Sequence, residues 1–156
     1  MFAKDFVVLE RPFDEVAHRL ERDPGTVIAP AIGGSRAACQ RMWVRVGAAG
    51  WPTTPEPAVN LALGPMRETE EGVILSFGWH VAEGSALFER FDADLVLAPF
   101  GTDQTLLELR ARYQPPAGVA EQIGDRSTQQ QLAECALRAL LEGVGASLAA
   151  PRQTGA

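Results

Sequence analysis

A chain of 156 residues, 46% hydrophobic and 22% charged, has the size and balance of one globular domain, which argues against a disordered chain and against a second large core. Its net charge of −6 and its scattered Lys and Arg argue against a nucleic-acid groove and against a patch for anionic membranes. No apolar run approaches the roughly 20 residues that cross a bilayer, and residues 1–6 lack the basic-then-apolar pattern of a secretory signal, so the expectation is a cytoplasmic protein.

Residues 2–10, with Phe6, Val7, Val8 and Leu9, read as a strand that Pro12 stops, since proline has no N–H for a ladder. Phe13, Val16, Ala17 and Leu20 then recur at the i, i+3, i+4, i+7 spacing of a short amphipathic helix, with Glu15 and Arg19 as an i,i+4 pair on its wet side. His18 shares that wet side and is expected in solvent. Asp23-Pro24-Gly25 reads as the end of this helix, residues 26–30 leave room for another turn or two, and Gly33-Gly34-Ser35 reads as an exit loop. Gly33-Gly34-Ser35-Arg36 lacks the lysine and serine of a phosphate loop, so it is taken as a connector.

From about residue 36 the pattern turns to period two. Residues 41–46 are the clearest strand, with Met42, Val44 and Val46 on a dry face and Arg41, Trp43 and Arg45 on a wet one. A loop over 47–57, rich in Gly, Pro and Thr, precedes strands over 59–63, 73–81, 87–97 and 105–114, and no connection between them is long enough for a crossover helix. The sheet is therefore expected to be antiparallel, with about six strands. After Pro115-Pro116, the positions Leu132, Ala136, Leu137, Leu140, Leu141, Val144 and Leu148 mark a helix that starts near 124–127 and runs to 149. It is roughly 35 Å long. Residues 1–150 are expected as a single domain and 151–156 as a loose tail.

The fold class that follows is α+β: a helix-grip arrangement, a curved antiparallel sheet around a long C-terminal helix, with one or two short helices after the first strand. That helix carries small residues among its leucines, namely Ala133, Ala136, Ala139, Gly143 and Ser147. Opposite it the sheet presents a broad aromatic and aliphatic face, a pairing that predicts a lined hollow. The expected lining is Met42, Val44, Leu61, Leu63, Leu75, Phe77, Trp79, Phe91, Leu95, Leu109, Tyr113, Leu132, Ala136 and Leu140. A core filled by side chains is the competing outcome. Arg110, Asn60 and His80 are the candidate polar handles. Arg110 has two placements open, outward with Glu108 and Arg112 or, by a register change, inward toward an acidic ligand.

No carboxylate pair, Ser-His-Asp set or Cys-His set stands at an informative spacing, so no catalytic residue is assigned. Cys39 and Cys135 are too few for a zinc cluster and are expected as free, buried thiols; no metal or cofactor is expected. Trp43 and Trp51 suggest a contact surface for a second copy or a partner, with packing beneath the long loop as the alternative.

Residues 91–101, Phe91-Asp92-Ala93-Asp94-Leu95-Val96-Leu97-Ala98-Pro99-Phe100-Gly101, followed by the strand from Thr105 to Tyr113 and by Gln114-Pro115-Pro116-Ala117-Gly118, resemble a segment of small bacterial members of the START-like, SRPBCC superfamily. That segment runs strand, Pro-x-Gly turn, strand, Tyr-x-Pro-Pro, helix. The order of elements is similar over nearly the whole chain. The resemblance implies a helix-grip fold and a habit of holding lipids, sterols or polyketides, with cyclisation or dehydration in some members, and it implies no single reaction. The expected function is binding of a small hydrophobic ligand. A cyclase-like or dehydratase-like enzyme using Tyr113, His80 or Arg110, and a protein-interaction module, are the alternatives.

Overall fold

The computed structural model describes residues 2–45, 60–80, 90–114 and 126–150. In chain order they form β1 (Phe2–Leu9), α1 (Phe13–Arg22), α2 (Pro24–Arg45), β2 (Asn60–Glu68), β3 (Val73–His80), β4 (Arg90–Pro99), β5 (Thr105–Gln114) and α3 (Arg126–Ala149). The strands make one sheet in the order β1-β5-β4-β3-β2, antiparallel at every pairing. Strands β2 to β5 are a meander, and β1 returns to lie beside β5. The β4–β5 hairpin closes through Phe100 N–H donating to the Gln104 carbonyl at 2.9 Å. Gly101 takes φ +74° there, a left-handed conformation that disfavours any residue with a Cβ. On the opposite edge, the register of β2 slips between Leu63 and Met66, where Gly64-Pro65 forms a bulge of the kind that edge strands tolerate.

All three helices lie on one face of this sheet. α3 packs on β1 and β5, and α2 runs alongside α3. A single apolar cluster joins helices and sheet, from Leu9, Val16, Leu20, Ile28 and Ile32 through the sheet to Leu137, Leu141, Val144 and Leu148. Among the described residues no helix is long and apolar enough to cross a membrane.

Within the described residues 41–45, the strand expected over 41–46 does not form. The chain is helical through Arg45, so α2 has 22 residues instead of a turn or two, and the sheet has five strands among the described residues instead of about six. Asp23-Pro24-Gly25 ends one helix and starts the next. Asp23 Oδ1 accepts the Thr26 N–H at 3.3 Å, and the Asp23 carbonyl accepts Thr26 Oγ1 at 3.1 Å. Pro24 stands at the first helical position, where a missing N–H costs nothing. Pro30, Gly33 and Gly34 are poor helix formers, and the helix passes through them because tertiary packing outweighs propensity. Val27, Ile28, Ala31, Ile32, Ser35 and Ala38 are all buried. Ser35 Oγ donates to the Ala136 carbonyl of α3 at 2.8 Å. A Cβ on Gly143 would stand 2.9 Å from Cβ of Ala31, so the two helices touch almost backbone to backbone.

The small residues of α3 thus have a second purpose. Ala136 and Gly143 admit α2, and only Gly145, whose neighbours are Leu9, Val7 and Leu107, meets the sheet at a position without a side chain. The expected Glu15–Arg19 pair is also replaced. Arg19 reaches the carbonyls of Ser147, Leu148 and Ala150, and Arg11 reaches that of Ala149. Two cations from around α1 therefore satisfy the orphan carbonyls and the negative dipole end of α3, while Glu15 faces Arg11 at 3.9 Å. His18 is exposed, as expected. Cys135 is a free, half-buried thiol with Sγ 3.9 Å from the Ala38 carbonyl. At the edge strand β1, the Phe6 N–H donates to Asp5 Oδ1 at 2.8 Å and the Phe6 carbonyl accepts Arg138 Nη1 of α3 at 3.0 Å.

Candidate functional site

Alternation in β3, β4 and β5 sends one set of side chains toward the helices, and the strand register sorts that set into rows across the sheet. The row nearest the start of α3 is Leu61, Trp79, Phe91 and Tyr113. Trp79 and Phe91 stack with ring centroids 4.1 Å apart and planes 12° from parallel, and Phe77 meets Phe91 at 6.0 Å and 41°. Such contacts add to the energy of simple burial. The next row reads Leu63, Phe77, Ala93, Ala111 and Ala3, and the one after it Met66, Leu75, Leu95 and Leu109. A stretch of alanines therefore lies between an aromatic row and a leucine row. On the helix side, Ala133 and Ala136 are buried.

Of the expected lining, Leu75, Phe77, Trp79, Phe91, Leu95, Leu109, Tyr113, Leu132, Ala136 and Leu140 come together in the one core cluster, with Leu61 packed partly against it. Leu63 has the inward phase but sits on the edge strand, 41% exposed. Met42 and Val44 are carried by α2 instead of a strand; their side chains, with those of Trp43 and Cys39, lie outside the described residues, as does Trp51. Asn60 and His80 pair with each other one step beyond the aromatic row, and their side chains too are outside the described residues. Val46, Val81 and Leu87 are likewise outside them.

Tyr113 is one of two members of the aromatic row with a polar atom, the other being Trp79 with its indole N–H. Burial pushes the Tyr113 hydroxyl above the usual tyrosine range, and the charge of Glu134 on α3 pushes it in the same direction. The group is therefore protonated at neutral pH and acts as a hydrogen-bond donor.

Arg110 does not turn inward. It shares the outward phase with Glu108 and Arg112, the side of the sheet away from the helices. Its Nε donates to Glu108 Oε1 at 2.7 Å, and Lys4 Nζ lies 3.4 Å from the same oxygen. Burial alone would raise the Glu108 carboxyl, but the bonds and charges of Arg110 and Lys4 together outweigh it and hold the group below its usual range. The bond and charge of Glu108 raise Arg110 in turn, against a smaller opposing effect of burial. On this outer side a groove of about 930 Å³ runs over Ala62, Gly64, Ser76 and Gly78, bordered by Asp92, Asp94, Arg110, Arg112 and Phe2. Sequence reasoning missed it. The signal was there in part, because Asp92 and Asp94 alternate with Phe91, Ala93 and Leu95 as Arg110 and Arg112 alternate with Leu109, Ala111 and Tyr113. Only the register shows that the acids and bases stand side by side.

An antiparallel sheet with a long C-terminal helix laid on it, and two helices inserted after the first strand, is the arrangement anticipated from the order of elements. The fold is α+β and helix-grip-like. The chain is similar to TTHA0849 from Thermus thermophilus, with TM-score 0.51 and 15% identity over 95% of this chain and 97% of the other. It is similar to a conserved protein from Geobacillus kaustophilus with TM-score 0.54 and 11% identity over 96% and 95%. A START superfamily protein from Mycobacterium smegmatis gives TM-score 0.47 and 11% identity over 94% and 96%. At such identities the likeness is one of fold. No family model matches the sequence, and no curated protein matches it.

Proposed function

We propose that the chain binds a small hydrophobic molecule of the lipid or polyketide kind between the aromatic row of the sheet and the first half of α3. The observation that carries this reading is the step from Trp79, Phe91 and Tyr113 down to Ala93 and Ala111. Large flat rings beside small residues make a wall and a floor for an apolar body, and burial of that body drives its uptake. Tyr113 stands at the end of that wall, beside Phe91.

Native mass spectrometry of the purified chain tests the reading directly. The expected result is a mass excess that organic extraction removes. 1-Anilinonaphthalene-8-sulfonate added after extraction is expected to accept energy from Trp79, and the transfer should fall in Trp79→Phe. Ala93→Leu, which fills the alanine row, is expected to reduce uptake of the dye. A bare mass together with no response to the dye overturns the proposal.

A further inference from the structure

The side of the sheet away from the helices is also organised in rows. One row is Phe2, Arg112, Asp92, Gly78 and Ala62, and the next is Lys4, Arg110, Asp94 and Ser76. In these two rows the acids stand on β4 and the bases on the adjacent β5, with Arg90 and Glu108 of opposite sign in the rows on either side. Gly78 can carry no side chain, because a Cβ there would stand 2.6 Å from the Phe91 carbonyl oxygen and 2.8 Å from Asp92 Oδ1. At the other end of the same row Phe2 is 62% exposed, and along β1 it is followed by Phe6 at 58% and Val8 at 38%. A folded domain gains nothing by placing three apolar side chains in water along one strand unless something covers them.

We propose that this face is the contact between two copies of the chain, related by a two-fold axis parallel to the strands and lying between β4 and β5. Rotation about that axis preserves each row and exchanges the strands, so that β5 lies over β4 of the second copy and β1 over its β3. Arg112 then faces the partner's Asp92, and Arg110 faces the partner's Asp94. Phe2 falls on the hollow over the partner's Gly78, and Lys4 on the partner's Ser76. Each of these contacts occurs twice, as a two-fold interface requires. An axis centred on β4 or on β5 would instead set like charges against each other, and of these three placements only the one between the strands pairs acid with base.

Within one copy the charges are partly matched already, Asp92 by Arg90 at 3.1 Å and Arg110 by Glu108 at 2.7 Å. Their contribution across the interface is accordingly alignment and specificity, while the attraction comes from covering Phe2, Phe6 and Val8. Packed sheets tolerate a twist of about 30° between their strands, so the rows meet best near the axis, where the four charged residues stand. The proposal does not depend on what lies between the sheet and the helices.

Sedimentation velocity of the full chain over a range of concentrations provides the test. Wild type is expected to show a reversible dimer. Asp92→Arg and Arg112→Asp are substitutions at exposed positions, and each sets like charges opposite one another, so each is expected to weaken the dimer at least about tenfold. Their equimolar mixture restores both attractive pairs and is expected to sediment as a dimer again. Phe2→Ser should weaken association as well, with circular dichroism unchanged in all variants. A wild type that remains monomeric, variants that associate as wild type does, or a mixture that stays monomeric would each overturn the proposal. A monomeric wild type that co-purifies with a small molecule lost in Arg112→Asp would assign the groove to a ligand and overturn it too.

Discussion

Along β5, Leu107, Leu109, Ala111 and Tyr113 are sealed beneath the helices, while Leu106, Glu108, Arg110 and Arg112 look the other way. Neighbouring residues of one strand thus live in different media. On the inner side stability comes from shape, because buried rings and leucines touch many partners and any void or excess volume is felt. On the outer side the same backbone carries ion pairs in or near water, where each interaction is small and its value lies in pattern. Substitutions should therefore be expensive on one side and cheap on the other, and three of them measure the contrast.

The largest effect is expected at Phe91, which is fully buried between Trp79 and Phe77. Phe91→Ala should destabilise the fold by about 3–5 kcal/mol in urea or guanidinium unfolding. A loss below about 1 kcal/mol would mean that the aromatic row is loosely held and the two sides are less different than argued. An intermediate effect is expected where α2 meets α3. Gly143→Leu must push Ala31 away, and a cost of about 1–3 kcal/mol should appear in thermal unfolding. An unchanged midpoint would show that the helices do not pack as closely as the Gly143–Ala31 approach implies.

The smallest effect belongs to the outer side. The fold holds the Glu108 carboxyl below its usual range, so it favours the ionised form. The resulting stabilisation is fully present above the pKa of the unfolded chain, near about 4.3, and is lost as pH falls through the lowered folded value. Glu108→Gln should cost under about 1 kcal/mol at neutral pH and make the acid side of the stability profile shallower. A steeper acid side in the variant would reverse the assigned sign.

Much of this was readable in the amino acids alone. β3, β4 and β5 were recognisable by their alternation, β1 by the apolar run Phe6-Val7-Val8-Leu9 that Pro12 stops, and α3 because its apolar residues keep a helical period from Leu132 to Leu148. α2 was not, for two physical reasons. Residues 41–46 are too few for a period of two to be told from a helix, and Pro30, Gly33 and Gly34 weaken a helix whose support comes from Ala136 and Gly143, more than 100 positions away. The same distance explains the misreading of the small residues on α3, whose partner was another helix as well as the sheet. The inner residues of the candidate site were identifiable by phase, and all but Leu63 among those described are buried or partly so. The rows of acids and bases outside needed the register, which no single strand contains.

Arg138 extends from α3 around the rim of the sheet to the Phe6 carbonyl, and Asp5 holds the neighbouring N–H. In an antiparallel ladder every second residue of an outermost strand turns both backbone groups away from its neighbour, and a stranger's strand could dock there by hydrogen bonds alone. With that position occupied by guanidinium and carboxylate, growth of the sheet sideways into fibrils or swapped assemblies is blocked at its midpoint. Any meeting of two molecules is thereby steered to broad surfaces, where side chains choose the partner.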